Sequence, residues 1–263
     1  MLLAIDVGNS ETKLGVFATG PANSRILQMW RLGTARRRTA DEIGIAFAAL
    51  FRRSNLTPEA IEAIAVSSVV PQNDRELAAA CVAYVGREPR FFSAATQSLM
   101  EVATDRPKEV GSDLVCGAIA ARERHGAPAI VIGFGTATTF SAVTRKGVYA
   151  GAAIAPGIQI SIDALVERTA KLPQVALEAP GGVIGRETVS ALQSGIVYGF
   201  VGQTEGIVAR MRRELGDEAR VVATGGMAEV VARHTAVIDV VEPHLVLDGL
   251  RLLFESDRAA GRG

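Results

Sequence analysis

The sequence predicts an α/β protein with two similar halves, each a mixed sheet flanked by helices. An apolar strand near the start of the chain runs into a Gly-containing turn and a return strand, and the same pattern recurs in the middle. The glycines of the two turns, Gly8 and Gly135, lie about half the length of the 263-residue chain apart. This placement favours two half-domains, each with a phosphate-binding hairpin that faces a shared cleft.

The first turn carries polar groups suited to a nucleotide phosphate. Five apolar residues lead to Asp6, and a second strand, Leu14–Ala18, follows the turn. Backbone N–H groups of such a turn can surround phosphate oxygens, and a carboxylate at a strand end suits Mg²⁺ bound to those phosphates. A plain hairpin with a polar tip is the alternative. The candidate phosphate and metal ligands are Asp6, Gly8, Asn9, Ser10, Thr12 and Lys13.

The rest of the first half alternates strands with helices. Thr39 and Glu42 form a capping-box pattern before an apolar stripe, which predicts a helix. A β-branched run that ends at Pro71 predicts a central strand. The predicted elements are a strand at Arg25–Leu32, a helix at Thr39–Arg53, a strand at Ile61–Val70, a helix at Asp74–Val85 and a strand at Pro89–Ser93.

A middle segment joins the two halves. Pro107 interrupts the chain, and Gly111, Ser112 and Asp113 lead into a predicted helix, Leu114–Arg124. A carboxylate at a helix start is commonly a cap, but on a segment between two halves it can also project into a cleft. There it can accept a proton from a substrate hydroxyl during phosphoryl transfer. We place the boundary after Leu114, which gives domains 1–114 and 115–263.

The second half repeats the strand–turn–strand opening and then becomes mostly helical. Thr136 follows Gly135 in its turn, and Gly225 and Gly226 separate a strand from the next helix, where backbone can approach a ligand closely. The predicted elements are a hairpin at Ala129–Val143, a strand at Gly147–Ile154, a helix at Ile158–Arg168, a loop at Thr169–Arg186, a helix at Glu187–Leu215, strands at Arg220–Ala223 and Val237–Val241, and a helix at Leu245–Glu255.

Composition excludes several classes of protein. The chain has 28 basic and 28 acidic residues and a pI of about 6.9, which argues against a nucleic-acid-binding surface. Cys81 and Cys116 lack metal-ligand spacing and indicate small core residues in a reducing compartment. Because no apolar run is long enough to span a bilayer, we expect a cytoplasmic protein with no membrane partner.

Together the motifs resemble the type III pantothenate kinase family, whose members catalyse the first step of coenzyme A synthesis. The stretches that carry the resemblance are Ile5–Ser10, Val66–Pro71, Pro107–Asp113, Phe134–Phe140, Gly151–Gly157, Ala223–Gly226 and Leu247–Leu250. The resemblance implies two ribonuclease-H-like domains of the acetate and sugar kinase and actin superfamily. It also implies a homodimer that uses ATP, Mg²⁺ and a monovalent cation such as K⁺ or NH₄⁺.

The resemblance assigns roles to single positions. The turn from Asp6 to Lys13 would hold the ATP phosphates and their metal, and Thr136 would touch ATP. Asp113 would be the general base. Thr188 would contact pantothenate, as would the segment Gly111, Ser112, Asp113 and Leu114.

The chain departs from the family pattern at the substrate and cation sites. Leu114 stands where the family has an Arg that helps to hold the substrate, and Thr104 stands where it has a Tyr. Gly133 and Ser141 stand where it has Asp residues, and the Asp at the Gly133 position coordinates the monovalent cation. Since glycine supplies no side-chain ligand, we expect this cation site to be weakened or absent. The resemblance therefore does not imply that this chain requires K⁺ or NH₄⁺.

Three functional hypotheses follow. The chain is a pantothenate kinase with a variant site, a kinase of the same design for a different small alcohol, or a catalytically silent paralogue that binds nucleotide or a regulatory partner. The changes at Thr104 and Leu114 separate the first two hypotheses, because losing a charged anchor changes which ligand fits. Retention of both Asp6 and Asp113 favours catalysis over the third.

Overall fold

The computed structural model describes residues 1–19, 25–35, 37–169, 172–216 and 218–261, and in this part the chain forms two compact units. The first unit contains Met1–Glu101, Asp105–Ala120 and the C-terminal segment that begins at Leu245. The second contains Val102–Thr104 and Ala121–His244. No helix in the described ranges is both long and apolar enough to cross a bilayer.

A five-stranded mixed sheet forms the centre of the first unit. Its strands are β1 (Leu2–Val7), β2 (Glu11–Phe17), β3 (Ile26–Gly33), β4 (Ala63–Ser68) and β5 (Pro89–Phe92), in the order β3-β2-β1-β4-β5. Strands β1, β2 and β3 pair antiparallel, whereas β4 and β5 run parallel to β1. All six residues of β1 are buried because the strand is central and covered on both faces.

Helices cover this sheet. They are α1 (Ala40–Arg53), α2 (Asp74–Ala80), the start of α3 (Ser112–His125) and α7 (Leu245–Ala259). The predicted capping box opens α1: Glu42 N–H donates to the Thr39 hydroxyl, and Thr39 N–H donates to the Glu42 carboxylate. Phe47 and Phe51 of α1 join the core with Ile5 of β1, and α7 packs against β1, β2 and β4.

The second unit repeats this plan. Its strands are β6 (Ala129–Phe134), β7 (Ala137–Val143), β8 (Tyr149–Pro156), β9 (Arg220–Thr224) and β10 (Val240–Val241), in the order β10-β9-β6-β7-β8. Strands β6, β7 and β8 pair antiparallel, and β9 and β10 run parallel to β6. Its complete helices are α4 (Ile158–Arg168), α5 (Thr188–Leu215) and α6 (Ala228–Ala232).

The predicted fold class is confirmed, since both units are mixed five-stranded sheets with helices and share one strand order. The division of the chain into units differs from the predicted single boundary after Leu114. Helix α7 belongs to the first unit because its apolar face packs on β1, β2 and β4, and α3 begins in one unit and ends in the other. The last predicted strand is shorter than expected, at Val240–Val241. Residues 170 and 171 of the predicted loop lie outside the described ranges.

Candidate active site

Asp6 lies near the end of β1 between two polar neighbours in the sheet. Lys13 of β2 and Ser67 of β4 are its register partners on the two sides. Side chains alternate along a strand, so Asp6 lies on the face of the sheet opposite Ile5 and its α1 contacts. The Asp6 side chain is buried, and its Oδ1 atom has no hydrogen-bond partner among the residues that the structure describes.

The surroundings of Asp6 favour its neutral form. Burial, followed by the nearby negative charge of Asp113, raises the Asp6 pKa from an ordinary 3.8 to about 7. The charge of Lys13 and a hydrogen bond from Ser67 act in the opposite direction. A buried carboxylate with an unsatisfied oxygen is costly unless a cation or a donor reaches it, so this atom suits a bound cation.

Asp113 lies in the first turn of α3. Its Oδ1 accepts a hydrogen bond from Leu114 N–H at 2.9 Å. A Cβ at Gly111 would lie 2.5 Å from that same oxygen, so the glycine leaves room for the carboxylate. Burial raises the Asp113 pKa, while the backbone hydrogen bonds and the charge of Lys13 lower it. Asp6, Lys13 and Asp113 therefore form one electrostatic cluster, and Asp113 is a better proton acceptor than an exposed aspartate.

Two neutral side chains of α3, the Ser112 hydroxyl and the Cys116 thiol, lie near this cluster. The Ser112 side chain is buried, and its hydroxyl lies 2.8 Å from the Ser67 hydroxyl and 3.1 Å from the Ser68 carbonyl oxygen. Burial and the charges of Asp6 and Asp113 raise the Cys116 pKa well above its ordinary value, so the thiol stays protonated. The hydroxyl of Ser112 is directed at β4, although Ser112 was predicted to bind substrate.

The tip of the first hairpin is tight and open to solvent. Gly8 N–H donates to the Glu11 carbonyl at 3.0 Å, and a Cβ at Gly8 would lie equally close to that oxygen. Asn9 and Ser10 are exposed at the tip. The Thr12 hydroxyl lies 2.8 Å from the Thr34 hydroxyl, which ties the return strand to the end of β3.

The second hairpin is built from close backbone contacts. Gly135 N–H donates to the Ala137 carbonyl at 3.1 Å, and Gly157 N–H donates to the Thr136 carbonyl at 3.2 Å. A Cβ at Gly157 would lie 2.3 Å from the Thr136 carbonyl oxygen. Gly157 was not among the predicted site residues, although it contacts Thr136, which was. Its position at the end of an apolar strand and just before a helix was the available signal.

The turn after β9 meets this hairpin. Gly225 has a φ of +99°, and a Cβ there would lie 2.3 Å from the Phe134 carbonyl oxygen, so no other residue type fits without movement. A Cβ at Gly226 would meet no described atom within 4 Å. The structure thus brings Gly135, Thr136 and Gly225 together, and Gly135 and Thr136 are exposed residues.

The remaining predicted residues occupy separate places in the second unit. Gly133 pairs with Thr139 of β7 and Thr224 of β9, and a Cβ at Gly133 would lie 2.7 Å from the Thr139 hydroxyl. Ser141 is buried, with its hydroxyl 3.3 Å from that of Tyr149. Thr188 is exposed in the first turn of α5.

The Asp6 carboxylate has the chemistry of a ligand for a divalent cation. No group of three or more His, Cys, Asp or Glu side chains that could hold a metal occurs in the described ranges. The unsatisfied Oδ1 of Asp6 is a hard oxygen ligand next to the phosphate-type hairpin, which fits Mg²⁺ held largely by phosphates and water.

The comparisons with known proteins agree with these observations. The family model for type III pantothenate kinase matches residues 2–210. A type III pantothenate kinase from Anaeromyxobacter sp. is 48% identical over 258 residues, which is 98% of this chain and 100% of that protein. One from Myxococcus xanthus is 45% identical over 260 residues, with 99% and 100% of the two chains covered.

A solved structure supports the fold alone. A Sinorhizobium meliloti protein, described as a candidate 2-dehydro-3-deoxygalactonokinase, matches with a TM-score of 0.62 at 15% identity, over 97% of this chain and 96% of that one. The family assignment rests instead on the family model and the full-length relatives, which confirm the resemblance drawn from the motifs. This chain belongs to the type III pantothenate kinase family.

Proposed function

We propose that this protein transfers the γ-phosphoryl group of ATP to the primary hydroxyl of pantothenate. The observation that carries the proposal is the cluster of buried Asp6 with half-buried Lys13 and Asp113, in which one carboxylate lies beside a phosphate-type hairpin and the other at a helix start. Membership of the type III pantothenate kinase family supports an ATP-dependent kinase that acts on an alcohol.

In the proposed reaction, Asp113 accepts the proton of the substrate hydroxyl as that oxygen attacks the γ-phosphorus. The bond from the γ-phosphorus to the bridging oxygen breaks, and ADP leaves with the electron pair. The backbone N–H groups of the first hairpin and the charge of Lys13 stabilise the phosphates. The raised Asp113 pKa makes proton transfer more favourable than it would be for an exposed aspartate.

Asp6 would hold Mg²⁺ through its unsatisfied oxygen together with the ATP phosphates. When bound, the ion offsets the negative charge of the phosphates and of the transition state. Asp6 itself supplies the carboxylate, and although burial and Asp113 raise its pKa, the charge of Lys13 and the hydrogen bond from Ser67 act in the opposite direction.

The backbone of Gly135, Thr136, Gly225 and Gly226 is proposed to contact the nucleotide. The segment from Gly111 to Leu114 and the exposed Thr188 are proposed to contact the acceptor, with Ser112 contributing its backbone because its hydroxyl bonds to β4. Gly133 supplies no oxygen ligand, so we propose that a K⁺ or NH₄⁺ site is weak or absent there.

We also propose a cytoplasmic homodimer. Large exposed apolar side chains are frequent in the second unit, and an exposed apolar surface of this kind is typical of subunit contacts. They are Ile154, Ile160, Leu165, Val183, Ile184 and Val189. Sedimentation of the purified chain as a monomer at micromolar concentration would contradict the dimer.

A kinase for a different small alcohol is the second candidate, and Leu114 favours it. This half-buried side chain neither pairs with a carboxylate nor donates a hydrogen bond, so it cannot anchor the acid group of pantothenate as an Arg would.

ADP release from Mg-ATP tests both candidates. We would measure it with pantothenate, pantetheine, nucleosides and other small alcohols, each with and without K⁺, and with Asp113→Asn as the inactive control. Pantothenate turnover supports the first proposal. Turnover of another alcohol alone supports the second, and silence across the panel with ATP still bound would contradict both.

A further inference from the structure

Helix α3 is fixed to its surroundings on both sides of Asp113. On one side, Ser112 bonds to β4. Its hydroxyl lies 2.8 Å from the Ser67 hydroxyl and 3.1 Å from the Ser68 carbonyl oxygen. Because Ser112 is buried, water is not available to replace these bonds if the hydroxyl is removed.

On the other side, the backbone of α3 touches the backbone of α7. A Cβ at Gly249 would lie 2.1 Å from the Cys116 carbonyl oxygen and 2.5 Å from its carbon. These are main-chain atoms that no rotamer change can move away. A glycine inside a helix is unfavourable relative to alanine, so the close approach of the two helices is the physical reason for its presence.

The two contacts lie on either side of the proposed general base, Asp113, along α3. Asp113 follows Ser112 directly and lies one helical turn before the Cys116 carbonyl. Helix α7 is itself packed on β1, β2 and β4, the strands that carry Asp6, Lys13 and Ser67. Two independent contacts therefore hold the first turn of α3 against the sheet that carries Asp6, one directly through β4 and one through α7.

We propose that Ser112 and Gly249 are positioning residues that hold the first turn of α3, and with it the Asp113 carboxylate, against β4 and α7. This inference rests on the proposed function, since it assigns the two residues a role at the proposed general base. Loss of either contact should slow the reaction, because a small displacement of a catalytic group lowers the rate of the chemical step.

The test combines kinetics with amide hydrogen exchange in Ser112→Ala and Gly249→Ala. We expect faster exchange of the amides at residues 113–116 in both variants. We also expect a kcat about 10- to 100-fold lower with the KM for ATP changed less than about 3-fold, because the nucleotide hairpin is untouched. Matched controls are Ser256→Ala, a half-buried position of α7, and Gly202→Ala, an exposed helix position where an added Cβ meets no described atom within 4 Å.

Each outcome decides the inference. Faster exchange with unchanged kcat would show that the contacts serve folding only and would overturn it, as would unchanged exchange in both variants. A larger KM for ATP with unchanged kcat would also overturn it. If the unmodified chain turns over no alcohol, the proposed function fails, and the anchoring is then judged by exchange alone.

Discussion

The hairpin of β1 and β2 and the hairpin of β6 and β7 occupy equivalent places in two sheets of one strand order. In the first, the strand-end residue is Asp6, with Lys13 across the hairpin and Ser67 on the parallel strand. Burial makes this carboxylate unusually weakly acidic. The first hairpin therefore places an ionisable carboxyl group at a buried position.

The second hairpin places uncharged groups at the equivalent positions. Gly133 stands at the strand end, with Thr139 across the hairpin and Thr224 on the parallel strand. Its features are close main-chain contacts at Gly157 and Gly225. The comparison teaches that one backbone plan can carry ionisable side chains at one hairpin and uncharged groups with close main-chain contacts at the other.

The largest effect is expected for the carboxylate outside both hairpins. Asp113→Asn should lower kcat about 1000-fold, because a positioned general base contributes on that order, while ATP affinity stays near that of the unmodified chain. The rate of the unmodified enzyme should rise with pH through the raised Asp113 pKa. Steady-state kinetics and calorimetric titration of ATP would check this, and near-normal kcat would refute the base assignment.

Charge at the first hairpin should make stability depend on pH. The folded-state Asp6 pKa of about 7 exceeds its ordinary 3.8. The contribution of Asp6 to the free energy of unfolding is therefore fully present below pH 3.8. It is lost as pH rises through about 7, and the loss is on the order of 4 kcal/mol. Asp6→Asn should flatten this dependence in denaturant unfolding without nucleotide, whereas Asp105→Asn at an exposed site should not. A steep dependence retained in Asp6→Asn would contradict this explanation.

Backbone contact at the second hairpin should be sensitive to a single methyl group. Gly225→Ala should lower the free energy of unfolding by about 2 kcal/mol or more, since its φ is positive and the Phe134 carbonyl is too close. Gly226→Ala, where there is open space, should have a much smaller effect. Equal unfolding midpoints for the two variants would show that the Gly225 contact is not structurally important.

The smallest effect tests the missing carboxylate of the second hairpin. Gly133→Asp with Thr139→Ala, which removes the hydroxyl 2.7 Å from the added Cβ, should make activity depend on K⁺ by about 3-fold or more. Thr139→Ala alone is the control. A steep K⁺ dependence in the unmodified chain would contradict our interpretation of Gly133.

Much of the fold was predictable because its signals are local. The capping box of Thr39 and Glu42, the apolar run of β1 and the two Gly-containing turns all act within a few residues. The predicted length of β10 was too great because Val237 and Ile238 pack against the core outside the strand, whereas the residues paired with β9 are Val240 and Val241. Pairing of that kind depends on neighbours distant in sequence.

Local sequence patterns were sufficient to predict the two-hairpin α/β plan and the family, and they indicated Asp6 and Asp113 as candidate site residues. The folded structure was needed to show that Asp6 is buried with an unsatisfied oxygen, that the Ser112 hydroxyl bonds to β4, and that Gly249 meets the Cys116 backbone. Hydrophobic periodicity and turn-forming residues involve neighbours in sequence and can be recognised without the fold. Burial, pKa values and main-chain approach depend on segments that meet only when the chain is folded.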